Sequence, residues 1–265
     1  MKKSLTFIKL GGSLITDKTK PFTVKEVALR TIAAEVKKAT QSGTQLIIGH
    51  GAGSFGHVPA KKYQTHKGLV HPEARQGFVE VANAARQLND IVLQELIAAG
   101  VLAVSVSPLS MMTAKNFVLN KIFTESIEQL LSLGLLPVVY GDQILDEEKG
   151  CTIFSTETVL TYIAVALKQK KYQIKRVIHC GQTNGVYDEN GETIPLINSN
   201  NVATYAKVLQ GSGGIDVTGG MLHKVRETLG LAQRGIPGLI IDGIEHGSLS
   251  KAVAGKAVLG TRIEA

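Results

Sequence analysis

Short apolar runs alternate with longer stretches of helical periodicity along most of this chain. The runs LTFIKL at 5–10, TQLIIG at 44–49, VLAVSV at 101–106, LPVVYG at 136–141, RVIHC at 176–180 and GLIIDG at 238–243 predict strands, with a last short one near 257–261. Between them, apolar positions recur every three to four residues over 23–42, 73–99, 123–133, 155–170, 200–208 and 221–234, which predicts amphipathic helices. In the second of these, Phe78, Val81, Ala82, Ala85, Leu88, Ile91, Val92 and Leu96 fall on the repeat. The strand runs are continuously apolar, as strands buried on both faces are. The expectation is an α/β chain, a three-layer αβα sandwich with a mainly parallel central sheet.

One stretch breaks the pattern. Asn190-Gly191 inside VYDENGETIPLI is a hairpin-turn signal and predicts an antiparallel excursion in the second half. The glycine-rich segment QGSGGIDVTGG at 210–220 lies between two helical patterns and reads as a loop with a task. There is no internal repeat and no low-complexity linker, so 265 residues are expected to form one large domain.

Composition narrows the partners. With 44% hydrophobic and 19% charged residues the chain is an ordinary globular one. A net charge of +7 admits nucleic acid, an anionic membrane surface or a phosphorylated small molecule. Lys and Arg are scattered, Trp is absent and aromatics make up only 5%, which argues against a nucleic-acid surface. No run approaches the roughly 20 apolar residues of a membrane span, and MKKSLTFIKLGG, broken by Thr6 and Lys9, does not read as a signal segment. Two cysteines, Cys151 and Cys180, read as core residues in a reducing cytoplasm. A small anionic substrate is the expectation.

Three glycine-rich turns follow predicted strands, KLGGSLI, GHGAGSFGH and YGD, and a fourth, IDVTGGM, opens a helix. Ligands of parallel sheets sit beyond the carboxyl ends of the strands. There, glycines let backbone N–H groups approach phosphate oxygens, and helix N-termini add positive potential. Several such turns on one sheet predict a polyphosphate site. GAGSFG fits G-x-G-x-x-G, but Glu73, about twenty residues on, follows His71-Pro72 rather than a strand, and GxxxxGK[ST] is absent. A dinucleotide site is therefore the lesser reading. Lys9 precedes the first glycine pair, Lys18 follows in the same loop, and Lys224 opens the helix after TGG. Each alone reads equally well as a solvated lysine. Three of them on separate glycine turns fit phosphoryl transfer, which needs cations spread over the transferring group.

KLGGSLIT with Lys18 behind it, HGAGSFGH-x-x-AKKY, THKG, YGD and DVTGGM-x-x-K together resemble the amino acid kinase superfamily, and within it the isopentenyl phosphate kinases. The resemblance runs from Lys9 to near the C-terminus. Its most specific part is the glycine loop closed by His57, which isopentenyl phosphate kinases share with fosfomycin kinases. It implies ATP-dependent phosphorylation of isopentenyl phosphate to isopentenyl diphosphate, with Mg²⁺, no metal-ligating side chain of the protein, and a cytoplasmic homodimer. It also implies an acceptor-binding lobe over about 1–170 and a nucleotide-binding lobe over about 171–265. Lys9, Lys18, His57 and Lys224 are the implied catalytic residues. Around ATP it places Lys9, Gly11, Gly12, Ser13, Gly53, Thr183, Asn184, Gly185, Tyr187, Gly219, Gly220 and Lys224. Around the acceptor it places Ala52, Gly53, Gly56, His57, Gly141 and Asp142. An imidazole at His57 can donate to the acceptor phosphate, whose charge favours the protonated ring. The competing reading of His57 is a loop histidine bonded to a backbone carbonyl; His50 reads as structural.

Two departures from the family pattern stand out. Asn184 occupies a position where an acidic residue is common. Ser155-Thr156-Glu157-Thr158 replaces S-G-D-D, which puts Glu157 where a carboxylate orients the active-site lysines and leaves Thr158 without the second one. The same segment reads as a helix N-cap, Ser155 followed by acidic Glu157. Val81, Leu88 and Ile91 share one helical face. Core packing is the plainer reading of that face, and an apolar pocket for a five-carbon chain is the reading the resemblance adds. Against isopentenyl phosphate stand a fosfomycin-type or other phosphate or phosphonate acceptor and, in another class, a non-catalytic nucleotide sensor. A sensor has no need of all four catalytic side chains.

Overall fold

A computed structural model of the protein describes residues 4–211 and 220–265. Its main sheet is built from β1 (Ser4–Leu10), β2 (Gln45–His50), β3 (Ala103–Ser105), β6 (Leu136–Tyr140), β9 (Gln173–Gly181), β10 (Leu196–Ile197), β11 (Gly238–Asp242) and β12 (Thr261–Ile263). A second sheet holds β4 (Met112–Lys115), β5 (Val118–Ile122), β7 (Asp142–Asp146) and β8 (Gly150–Phe154). The helices are α1 (Gly12–Ile15), α2 (Glu26–Thr40), α3 (Gly53–Tyr63), α4 (Ala74–Ala98), α5 (Pro108–Met111), α6 (Glu125–Ser132), α7 (Thr156–Gln169), α8 (Ala206–Gly211), α9 (Gly220–Ala232) and α10 (Ser248–Val253).

The main sheet runs β10-β12-β11-β9-β1-β2-β6-β3, parallel except where β12 pairs antiparallel with β11. Strand β1 sits centrally, and Leu5 to Leu10 are all buried, which is why its sequence shows no polar alternation. Its side chains still alternate between faces. Ile8 and Leu10 pack with Ile48 and Ile178 under α2, α4 and α10; Leu5 and Phe7 pack with Ile47 and Val177 under α6, α7 and α9. This is the expected αβα sandwich. Strands up to Tyr140 fill the β1-to-β3 side, and β9 to β12 fill the other.

Several elements differ from expectation. The last strand lies at Thr261–Ile263, just beyond the apolar run near 257–261. The helix expected over 200–208 begins only at Ala206, because Asn198 and Asn201 hold a turn through side-chain bonds to backbone N–H groups. Asn190-Gly191 does turn, with Gly191 at φ +81°, but only an isolated bridge between Tyr187 and Thr193 follows. The sustained antiparallel pairing is instead β7 with β8 and β4 with β5. Much of β5 is exposed, so it carries no apolar run to read.

Candidate active site

Strands β1, β2, β6 and β9 are parallel neighbours, so their carboxyl ends meet at one edge of the sheet, where a cleft of about 680 Å³ opens. The turns that follow them are tied together by backbone bonds. Gly11 N donates to Cys180 O at 2.9 Å, Gly51 N to Leu10 O at 3.0 Å, and Gly141 N to His50 O at 3.3 Å.

The glycines of the first two turns pack back to back. A Cβ on Gly12 would lie 2.8 Å from Gly53 Cα, and one on Gly51 would lie 2.9 Å from Gly12 N. Gly53, at φ +51°, has Thr16 in the space a side chain would need. The Thr16 hydroxyl donates to Gly12 O at 2.7 Å and accepts from Ser54 N at 3.0 Å, bridging the two turns. Glycine is therefore required here by contact between the turns, besides any approach of a ligand.

His57 does not close a loop. The chain becomes helical at Gly53, and His57, half-buried, sits in the second turn of α3. No side chain caps this helix, and Ala52, Gly53, Gly56 and His57 all line the cleft. The positive end of the α3 dipole thus lies at the cleft, a favourable place for an anion. Val81, Ala85, Ile153 and Phe154 add an apolar wall. His50 is fully buried, stacked on Tyr140 with Nε2 3.2 Å from Asn89 Oδ1, and burial brings its pKa down to about 4. It is a neutral core residue.

The cations enter from three elements. Lys9 at the end of β1 places Nζ 2.6 Å from Glu157 Oε1, with side chains only 8% and 13% exposed. Burial alone would raise the Glu157 carboxyl, but the charge and hydrogen bond of Lys9 hold it at about 2. The same segment is an N-cap, since Thr158 N donates to Ser155 Oγ at 3.2 Å. Glu157 thus meets Lys9 from the first turn of a helix that Ser155 caps. Lys224 lies in the second turn of α9, and a Cβ added to Gly181 would be 3.8 Å from its Nζ. Lys18 is exposed in the turn enclosed by the Thr16–Val24 bridge. Lys9, Lys18, His57 and Lys224 line the same cleft, as do Gly11, Gly12, Ser13, Gly220, Thr183, Gly141, Asp142 and Glu157.

Asp142 is 3% exposed. Burial pushes its carboxyl up to about 7, against the backbone N–H groups of Gln143 and Leu109 that hydrogen-bond to it. At neutral pH a large share of it is therefore uncharged. Among the described residues, no group of three or more His, Cys, Asp or Glu is placed to hold a metal ion.

Some expected residues are elsewhere. Leu88 is fully buried in the core under α2 and α4, and Ile91 packs against that core. Helix α4 is 25 residues long, about 37 Å at 1.5 Å per residue, so only its first half reaches the cleft. Asn184, Gly185 and Tyr187 follow Thr183 but do not line this cleft: Gly185 has φ +108° with Thr261 against it, and Tyr187 is 39% exposed. Gly219 lies outside the described residues. Conversely, Phe154 and Gln182 reach the cleft though the sequence offers no sign of it, and Ala85 beside the apolar face and Lys61 and His66 of the family motifs reach it too, without an expected site role. Lys61 stands four residues after His57 on α3 and Ala85 four after Val81 on α4, spacings that a helical reading of 53–63 and a shorter pocket face would have found. Phe154 comes from a strand without a sequence signal.

Comparison with known proteins fits this geometry. The amino acid kinase family model matches residues 4–242. Isopentenyl phosphate kinase from Methanocaldococcus jannaschii is 33% identical, with 98% of each chain covered. The enzyme of that name from Haloferax volcanii is 37% identical over 86% of this chain and 88% of its own. A solved isopentenyl phosphate kinase superposes with a TM-score of 0.82 at 30% identity, covering 98% of this chain and 100% of the other. Carbamate kinase from Giardia lamblia, at 16% identity and a TM-score of 0.69 over 99% of this chain and 98% of its own, shares the fold. The chain belongs to the amino acid kinase family, where these relatives at 33% and 37% identity are isopentenyl phosphate kinases.

Proposed function

We propose that the protein transfers the γ-phosphoryl group of ATP to isopentenyl phosphate, giving isopentenyl diphosphate and ADP. The observation that carries this reading is the convergence of Lys9, Lys18, Lys224 and His57 on one cleft with an apolar wall at Val81, Ala85 and Phe154. That wall favours a hydrocarbon acceptor over fosfomycin, a smaller and more polar one. Likeness to isopentenyl phosphate kinases over 98% of the chain points the same way.

In this reading β9 to β12 and α9 form the nucleotide side, and the strands before residue 170 form the acceptor side. Lys9, aimed by Glu157, and Lys224 hold the ATP phosphates with Gly11, Gly12, Ser13, Gly53 and Gly220. Lys18, at the rim, neutralises the transferring group. His57 and the N-terminus of α3 hold the acceptor phosphate with Ala52, Gly53, Gly56 and Gly141. The acceptor phosphate attacks directly and needs no side-chain base, so positioning and charge neutralisation supply the catalysis. Among the described residues of the cleft, Glu157 is engaged by Lys9 and Asp142 is partly protonated near neutral pH, so these two carboxyls do not form a cage for a divalent cation. Mg²⁺ is accordingly assigned to the phosphates of ATP, as is common for this ion. A cytoplasmic homodimer completes the proposal, supported by family resemblance and by two buried free cysteines.

Phosphorus NMR tests the reaction itself. With ATP, Mg²⁺ and isopentenyl phosphate, the monophosphate resonance should give way to two coupled diphosphate resonances as ADP accumulates. Inorganic phosphate as the sole new product would contradict phosphoryl transfer to this acceptor.

A further inference from the structure

The reaction as described leaves His179 unused. It lies on β9 in register with Lys9 on β1 and is 3% exposed. Register partners on parallel neighbours project from the same face. That face is the one covered by α7 and α9, since Val177, two residues back, packs with Leu160 and Leu231. Glu157 of α7, Lys9 of β1 and Lys224 of α9 are the charged groups that act on His179.

Its hydrogen bonding fixes the tautomer. His179 Nε2 is 2.9 Å from Thr228 Oγ1, and that oxygen is 2.6 Å from the carbonyl of Lys224. A carbonyl only accepts, so the single hydroxyl hydrogen of Thr228 goes to Lys224 O. Thr228 must then accept from the ring, which places the imidazole hydrogen on Nε2. The other nitrogen, Nδ1, is buried without a hydrogen-bond partner among the described residues. Burial takes the ring down to about pKa 3, with Glu157 opposing and Lys224 and Lys9 reinforcing, so it is neutral. A charged ring would set a third cation beside two lysines.

Thr228 is also fixed on its other side. A Cβ on Gly238 of β11 would collide with the Thr228 methyl, so α9 rests directly on the sheet at this residue. One turn earlier on the same helix is Lys224.

We infer that His179 is a positioning residue for the nucleotide side of the cleft: through Thr228 it docks α9 on β9 and sets where Lys224 stands relative to Lys9. The inference rests on the kinase reading, and its test uses nucleotide binding, which is independent of the acceptor. His179→Leu and Thr228→Val should each weaken Mg-AMP-PNP binding by about tenfold, the scale of one lost hydrogen bond, while the KM for the acceptor stays within about twofold. The double variant should bind no worse than the weaker single variant, since either change already removes the His179–Thr228 contact. His179→Gln, which returns an uncharged N–H near the Nε2 position, should recover most of the affinity. The ring nitrogen spectrum of the wild type should show a neutral Nε2–H imidazole from about pH 5 to 8, well above its pKa. Unchanged AMP-PNP affinity in both single variants would overturn the inference while leaving the kinase reading intact, and so would a ring protonated on Nδ1. Wild-type protein that binds no AMP-PNP would remove both.

Discussion

Lys9 Nζ lies 2.6 Å from Glu157 Oε1, linking the end of the central strand to the first turn of α7 in a nearly solvent-free contact. The pair carries opposite demands. Burying either charge alone is unfavourable, yet the lysine must keep a fixed place at the cleft edge. Glutamate meets both conditions from a helix whose N-terminus is capped by Ser155, and the helix dipole favours its charge.

Glu157→Gln should leave Lys9 buried without a counter-charge. The expected result is a loss of roughly 3–5 kcal/mol of stability and a fall in kcat of about 10²-fold or more, read by urea unfolding and steady-state kinetics. Glu157→Asp should recover part of both. Because the folded pKa of Glu157 is depressed to about 2 from an ordinary 4.5, its stabilisation is present above pH 4.5 and lost as pH falls toward 2. The variant should therefore show a flatter acid limb across that window.

Asp142 has the opposite sign. Its folded pKa, about 7, lies above the ordinary 3.8, so the folded state holds more protons between these values and stability falls as pH rises through them. Asp142→Asn should flatten that decline in urea midpoints measured from pH 4.5 to 8. In the wild type, ionisation above pH 7 places a second anion beside the acceptor phosphate, so acceptor KM should rise there, and the rise should be absent in the variant. An identical alkaline rise in both proteins would detach Asp142 from acceptor binding.

Gly53→Ala tests the packing of the two glycine turns. The added methyl meets Thr16 and must adopt φ +51°, so a loss of about 1–3 kcal/mol is expected, together with weaker binding of both substrates. Gly43→Ala, at φ +76° with nothing within 4 Å, is the control that carries backbone strain alone. Equal effects of the two would show that contact between the turns adds nothing.

His57→Ala should abolish most acceptor phosphorylation while AMP-PNP affinity changes by less than about threefold, because the side chain stands on α3 whereas the lysines assigned to ATP stand on β1 and α9. Turnover close to wild type would take His57 out of the reaction.

Much of the fold is legible in the sequence because the buried strands announce themselves. Ile47-Ile48 and Val138-Val139 have no polar neighbour to blur the run, and the helix carrying Leu88 and Leu96 shows its period plainly. Legibility fails where burial is partial or the backbone decides. Strand β5 exposes Val118, and α3 is built from glycine, serine and a proline, residues that read as loop until Thr16 and the neighbouring turn hold them. At the site, lysines beside glycine turns are readable because both residue types mark the strand ends. The His179–Thr228 contact, spanning 49 residues, leaves no local pattern. Nor does periodicity tell how far along α4 the cleft extends, which is why Leu88 and Ile91 share a face with Val81 yet belong to the core.

The most direct measurement compares kcat/KM for ADP release with isopentenyl phosphate, fosfomycin, acetylglutamate and UMP at fixed Mg-ATP. The cleft described here predicts a preference for isopentenyl phosphate of about 100-fold or more, since a five-carbon chain against Val81, Ala85 and Phe154 has several methylene contacts to gain. Equal or faster turnover of any other acceptor, or of none, would contradict it.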